Sequence, residues 1–103
     1  MMRFPWQAQE PAATNMAIRF PNQSRSYDPT RRAVHFWGHD RAMESSFFVT
    51  ADALSQIQPN LQPGEAGFLR AFDLNRDLIL AAAARVYARG RKGRYEINAA
   101  DFE

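Results

Sequence analysis

The sequence predicts an α+β domain: an antiparallel sheet of three to four strands, packed on one face by a short and a long helix. Three observations lead there. Two runs with period-2 alternation, Ala33–Trp37 and Met43–Val49, flank a turn-rich stretch, as hairpin partners do. Helical patterning begins only after them, at Ala51. From Gly64 to Arg89 the apolar residues recur with the 3.6-residue period of one long helix. Strands followed by helices give a sheet whose helices are segregated to one side.

Taken in order, residues 1–15 carry two prolines and no periodicity, and read as a disordered or loosely packed tail before a domain spanning 16–103. Phe4 and Trp6 give that tail a means of packing on the body, and Met16 is an alternative start. Ala17-Ile18-Arg19-Phe20 alternates as a short strand, stopped by Pro21-Asn22. Ser24–Arg32 reads as a turn region. Within it Tyr27-Asp28-Pro29-Thr30 has type I composition, with Asp28 able to bond the backbone two residues on. Ala33–Trp37 places Val34 and Phe36 on one face and His35 and Trp37 on the other. Gly38–Ala42 is expected as a five-residue hairpin loop, and Met43–Val49 as the returning strand.

Thr50 suits an N-cap for a short helix over Ala51–Ile57, which Pro59 ends by pushing Gln58 out of the α region. Pro63 suits the first position of the long helix, where its missing N–H costs nothing, and Gly90 suits the stop. Phe68, Phe72, Ile79, Ala83 and Val86 form the core stripe of that helix, widened by Leu69, Leu80 and Tyr87. Tyr95 and Ile97 flank Glu96 as a candidate last strand at Arg94–Ile97, before Asn98 turns the chain.

Composition narrows the chemistry. At 103 residues the chain forms one domain and buries about 60–65% of its unfolded surface, too little for a deep cleft between domains. There is no cysteine, which excludes disulfides, thiolate catalysis and Cys-based metal sites, and fits a cytoplasmic protein. The longest apolar run, Leu78–Ala84, is far shorter than the ~20 residues a membrane span needs, and the N-terminus has no signal-peptide pattern. Twelve of the thirteen basic residues are Arg, as in GC-rich bacterial coding, so only their clustering bears on nucleic acid.

Four constellations are candidates for chemistry. His35 and His39 stand about 13 Å apart along a strand, too far to share an ion without a bend at Gly38, and Asp40 is the one nearby third ligand. A Ser-His-Asp arrangement with Ser45 or Ser46 lacks any nucleophile elbow. Gly90-Arg91-Lys92-Gly93 follows a helix C-terminus, where the dipole disfavours anions, the reverse of a phosphate loop. The acid-free cluster Arg85, Arg89, Arg91, Lys92 and Arg94, with Tyr87 and Tyr95 nearby, is the best candidate for polyanion contact. The alternative is ordinary helix C-terminal capping by cations.

Two features break the long helix's pattern. Arg76 lies inside the apolar stripe, either snorkelling out or pairing with a carboxylate, or else serving as an anion contact at a pocket mouth. Leu74 and Leu78 lie on the far side, either packed on the Ala51–Ile57 helix or exposed as an apolar interface for a homo- or hetero-oligomer.

Ile18-Arg19-Phe20-Pro21-Asn22, Tyr27-Asp28, Val34-His35-Phe36, Ala53-Leu54, Phe72 with Arg76 and Ile79, and Asp101-Phe102 together resemble a family of small bacterial proteins, the domain of unknown function number 1488, from about Met16 to Phe102. The resemblance implies a compact α+β fold with an antiparallel sheet against two helices, and brings no catalytic residue. The resulting expectation is a non-enzymatic interaction module without cofactor or membrane span, with a homo-oligomer among its options. The alternative is a nucleic-acid or polyanion binder using the basic cluster.

Overall fold

The structure, a computed structural model, describes residues 18–90 and 92–103. The expected loose tail over 1–15, the alternative start at Met16, Ala17 of the first expected strand and Arg91 of the basic cluster lie outside the described residues. Four strands form one sheet in the order β1-β2-β3-β4: β1 Ser26–Asp28, β2 Ala33–Asp40, β3 Met43–Thr50 and β4 Arg94–Ile97. Three helices lie between β3 and β4: α1 Ala51–Ile57, α2 Glu65–Leu74 and α3 Arg76–Ala88. A 3-10 turn, Ala99–Phe102, closes the chain.

The α+β class stands, with corrections to its parts. The sheet is mixed rather than antiparallel throughout: β1–β2 and β2–β3 are antiparallel, but β4 joins β3 parallel, with Phe47 opposite Tyr95 and Val49 opposite Ile97. The helices form a crossover that returns the chain in β3's own direction, a connection a hairpin cannot make. The single long helix is two helices broken at Asn75, which takes φ −119° and ψ 24°. Its side chain donates to the Ala71 carbonyl at 2.9 Å and to Gln58 at 3.0 Å, so it competes for the helical acceptor and anchors the break.

The β2–β3 hairpin is tighter than five residues. Asp40 pairs with Met43, leaving Arg41 and Ala42 as the loop, and Arg41 takes φ 59°. The region read as turn contains β1, although Asp28 does accept from the Thr30 amide at 3.0 Å and the Arg31 amide at 3.2 Å. Pro63 precedes the helix rather than opening it, because Gly64, at φ 97°, is the N-cap. The expected first strand is a single bridge, Arg19 with His39, closed by two bonds of 2.8 and 2.7 Å on the β1 side of β2. α1 begins and ends as expected, with Thr50 Oγ1 accepting from the Ala53 amide at 3.1 Å.

The core lies between the helices and one face of the sheet. Val34, Phe36, Phe47, Val49, Tyr95 and Ile97 alternate onto that face and are buried against Leu54, Phe68, Phe72, Ile79 and Ala83. Phe72 meets Phe36 at 5.1 Å between ring centroids, and Phe68 stacks on Tyr27 at 5.4 Å. Val86, expected in the core stripe, is half-buried at its edge. Gly38 lets the incoming chain cross closely, since a Cβ there would sit within 3.0 Å of Phe20, Phe47 and Ile18.

Candidate interaction face

α3 packs its inner side, Ile79, Ala82 and Ala83, against the sheet. Its outer side presents Asp77, Leu78, Ala81, Arg85 and Ala88 to solvent. Leu78 is 48% exposed and Leu74, at the end of α2, is 60% exposed, so neither is covered by α1. Burying one leucine side chain is worth about 1.5–3 kcal/mol, so leaving two in water on neighbouring turns is a cost that a partner would remove.

α3 also borders an apolar groove of about 570 Å³. Ile18 and Phe20 form one wall; Leu80, Ala81, Ala84 and Ala88 form the other, with Asp77 and Arg85 on its rim. The small side chains open this groove, because alanine leaves the helix backbone within reach of an incoming residue. Asp77 has no ion-pair partner among the described residues.

The basic cluster is divided. Arg85 donates to the Asp101 carbonyl at 2.9 Å, and Arg89 bonds the Asp101 carboxylate at 2.9 Å. That carboxylate also accepts from the Asn98 amide at 2.8 Å in a capping box. Two of the cations therefore hold the C-terminal turn against α3. Lys92 and Arg94 are exposed, and the Lys92 amide donates to the Tyr95 hydroxyl at 2.9 Å. Sequence reasoning missed Asp101 as the receiving group; the Asn98-x-x-Asp101 spacing, a cap followed three residues later by an acceptor, was the available signal.

Arg76 reaches back across the fold. It donates to the Gln23 carbonyl at 3.0 Å, lies 3.6 Å from Asp73 and covers the Phe72 ring at 4.8 Å. Arg25 bonds the same Asp73 carboxylate through two nitrogens, at 2.9 and 2.7 Å. Those hydrogen bonds, with the charges of Arg25 and Arg76, hold the Asp73 carboxyl below its ordinary range. This network ties the 22–25 segment to the α2–α3 junction.

The histidines do not converge on a reacting group. His35 lies between Trp37 at 4.2 Å and Phe48 at 4.3 Å, on the sheet face away from the helices, with its Nε2 buried and unbonded. Burial pushes its imidazole below the ordinary value. Arg31 covers Phe48 at 4.7 Å on the same face. His39 Nε2 is 3.4 Å from Glu44, and Asp40 instead accepts from the Tyr87 hydroxyl at 2.5 Å. Neither Ser45 nor Ser46 is bonded to a histidine, and no three metal-ligating side chains come together among the described residues.

Among the described residues, a four-stranded mixed sheet, three helices packed on its core face and an exposed flank on α3 define the class, a short α+β domain. The chain belongs to the family DUF1488, described as a protein of unknown function, which matches residues 18–98. A crystal structure of a DUF1488 protein of unknown function from Shewanella loihica PV-4 has the same fold. It is 18% identical, with a TM-score of 0.69 over 79% of this chain and 91% of that one. No curated protein matches. No helix among the described residues is long and apolar enough to cross a membrane.

Proposed function

We propose that this chain is a non-enzymatic binding module of the cytoplasm that engages another polypeptide through the outer flank of α3. The observation carrying this reading is the exposure of Leu74 and Leu78, together with a groove along α3 that has aliphatic and alanine walls. An exposed apolar strip with charges at its rim has the composition of an interface, an apolar centre with a polar border. The polyanion alternative is less favoured, because the Asp101 carboxylate already neutralises Arg89 within the cluster. A titration against a short duplex and a single strand at two salt concentrations is expected to show no steeply salt-dependent binding.

The reading is tested by placing a photo-crosslinking amino acid at Leu78, and separately at the exposed Ser55 on α1, in living cells. Covalent adducts from position 78 and none from position 55 are expected. No adduct from position 78, or equal adducts from both, would overturn the reading.

A further inference from the structure

The outer flank of α3 has an internal symmetry that names its own partner. Asp77 and Arg85 stand four residues either side of Ala81, about 6 Å along the axis in each direction. Leu78 and Ala84 stand three residues either side of the same point. At 100° per residue, Asp77 and Arg85 diverge from the Ala81 direction by about 40° on opposite sides. A second α3 laid antiparallel, with a twofold axis level with Ala81, therefore brings Asp77 of each copy level with Arg85 of the other.

We propose that the occupant of this face is a second copy of this chain, docked antiparallel along α3 about a twofold axis at Ala81, with Asp77 and Arg85 exchanged between copies. This inference rests on the reading of the flank as an interface. Three observations carry it together. Asp77 is an exposed carboxylate with no ion-pair partner among the described residues. Arg85 gives one nitrogen to the Asp101 carbonyl, which fixes its stem and leaves the guanidinium's other donors for a carboxylate. Alanine at the axis and alongside it, at positions 81, 84 and 88, lets two helices approach to about 10 Å, an ordinary helix-pair spacing, with the facing methyls in contact.

The arrangement is isologous: the contact that one copy makes is the contact it receives, so it closes at two copies instead of propagating. Helices of this length cover less than the ~1,200 Å² of a stable interface, so the dimer is a weak one, visible only at high protein concentration.

The natural chain lacks cysteine, which makes the axis directly addressable. In Ala81→Cys the two thiols meet across the axis, and mild oxidation is expected to give a disulfide-linked dimer. Ser55→Cys, away from the face, remains largely monomeric under the same conditions. Sedimentation equilibrium then tests the charge exchange. Asp77→Arg and Arg85→Asp are each expected to weaken self-association at least about tenfold, since each places like charges together twice. Mixing the two variants restores attraction at both contacts and gives a heterodimer, and the chain carrying both changes self-associates again. All four substitutions are at exposed positions, and far-ultraviolet circular dichroism confirms that each variant is folded.

A monomer at every concentration up to about millimolar would overturn the proposal. Cross-linking no faster in the Ala81→Cys variant than in the Ser55→Cys variant, or a charge-variant mixture no tighter than its separate components, would overturn it as well. If position 78 yields cellular adducts with a different protein while the purified chain stays monomeric, the self-association fails and the reading of the flank stands. If position 78 yields no adducts at all, both fail.

Discussion

Gly38→Ala isolates one tight crossing in the fold. In a strand, replacing glycine by alanine ordinarily gains about 0.5–1 kcal/mol, because the unfolded chain loses freedom. At this position the added methyl would sit 2.8 Å from Phe20 Cε1, 2.9 Å from Phe47 Cε1 and 3.0 Å from Ile18 Cδ1. Carbon pairs settle at about 3.5–4.0 Å, so each neighbour must retreat by roughly 0.5–1 Å. The Phe47 ring is fully buried and stacked between Phe36 at 5.5 Å and Tyr95 at 4.9 Å, which leaves it little room. Phe20 is only partly buried and can move, at the expense of its edge contact with Phe47. An overpacking cost of about 1–3 kcal/mol less the entropic gain leaves a net loss centred on about 1 kcal/mol and reaching about 2.5 kcal/mol. Urea unfolding followed by circular dichroism measures it, and adding Phe20→Ala should recover part of the loss as a negative coupling energy. A Gly38→Ala protein as stable as the parent would refute the argument, since it would mean that the 18–20 segment does not lie against the sheet.

Three further outcomes are expected. Thr50→Ala removes the oxygen that accepts the Ala53 amide and costs about 1 kcal/mol, whereas Thr50→Ser keeps most of the stability; equal midpoints for the two variants would count against the cap. Asp101→Ala leaves Arg89 and the Asn98 amide without their acceptor and costs about 1–2 kcal/mol, with faster hydrogen exchange expected at Asn98 and Glu103 if the terminal turn loosens. His35 sets a pH dependence. Burial holds its folded-state pKa below 6.5, so above that value the ring is neutral in both states and contributes no slope. As pH falls below about 6.5 the unfolded chain takes the proton first, and stability declines until the pH passes the folded value. Thermal midpoints at about pH 7.5 and about pH 5.5 should therefore differ more for the parent than for His35→Phe, and an identical drop in both would refute this.

The sequence was most legible where local chemistry decides the outcome. Thr50 and Pro59 bracketed α1 because a cap hydroxyl and a pre-proline constraint act within a few residues. The core faces of β2, β3 and β4 followed from simple alternation. The break at Asn75 was hidden, because its cause is partly Gln58, seventeen residues away, and an i,i+4 count sees only the helix itself. The parallel pairing of β4 was hidden for the same kind of reason: Arg94–Ile97 reads identically in either direction, and only the path through three helices fixes it. In the candidate interface, the exposure of Leu74 and Leu78 remained one of two alternatives until the placement of α1 was known. The basic cluster looked uniform in sequence, although Asp101, brought back by the terminal turn, had claimed two of its members.

The late arrival of β4 also orders events at the ribosome. The β2–β3 hairpin and its preceding bridge can pair as soon as residue 50 emerges, but the open side of β3 stays unclaimed until Arg94–Ile97 has been synthesised. Through that interval Phe47 and Val49 sit on a strand with free amides and carbonyls, a template that any extended chain can extend. A nonsense mutation anywhere before Arg94 would make that interval permanent, and its product would be cleared or precipitate instead of accumulating as a shortened, working domain.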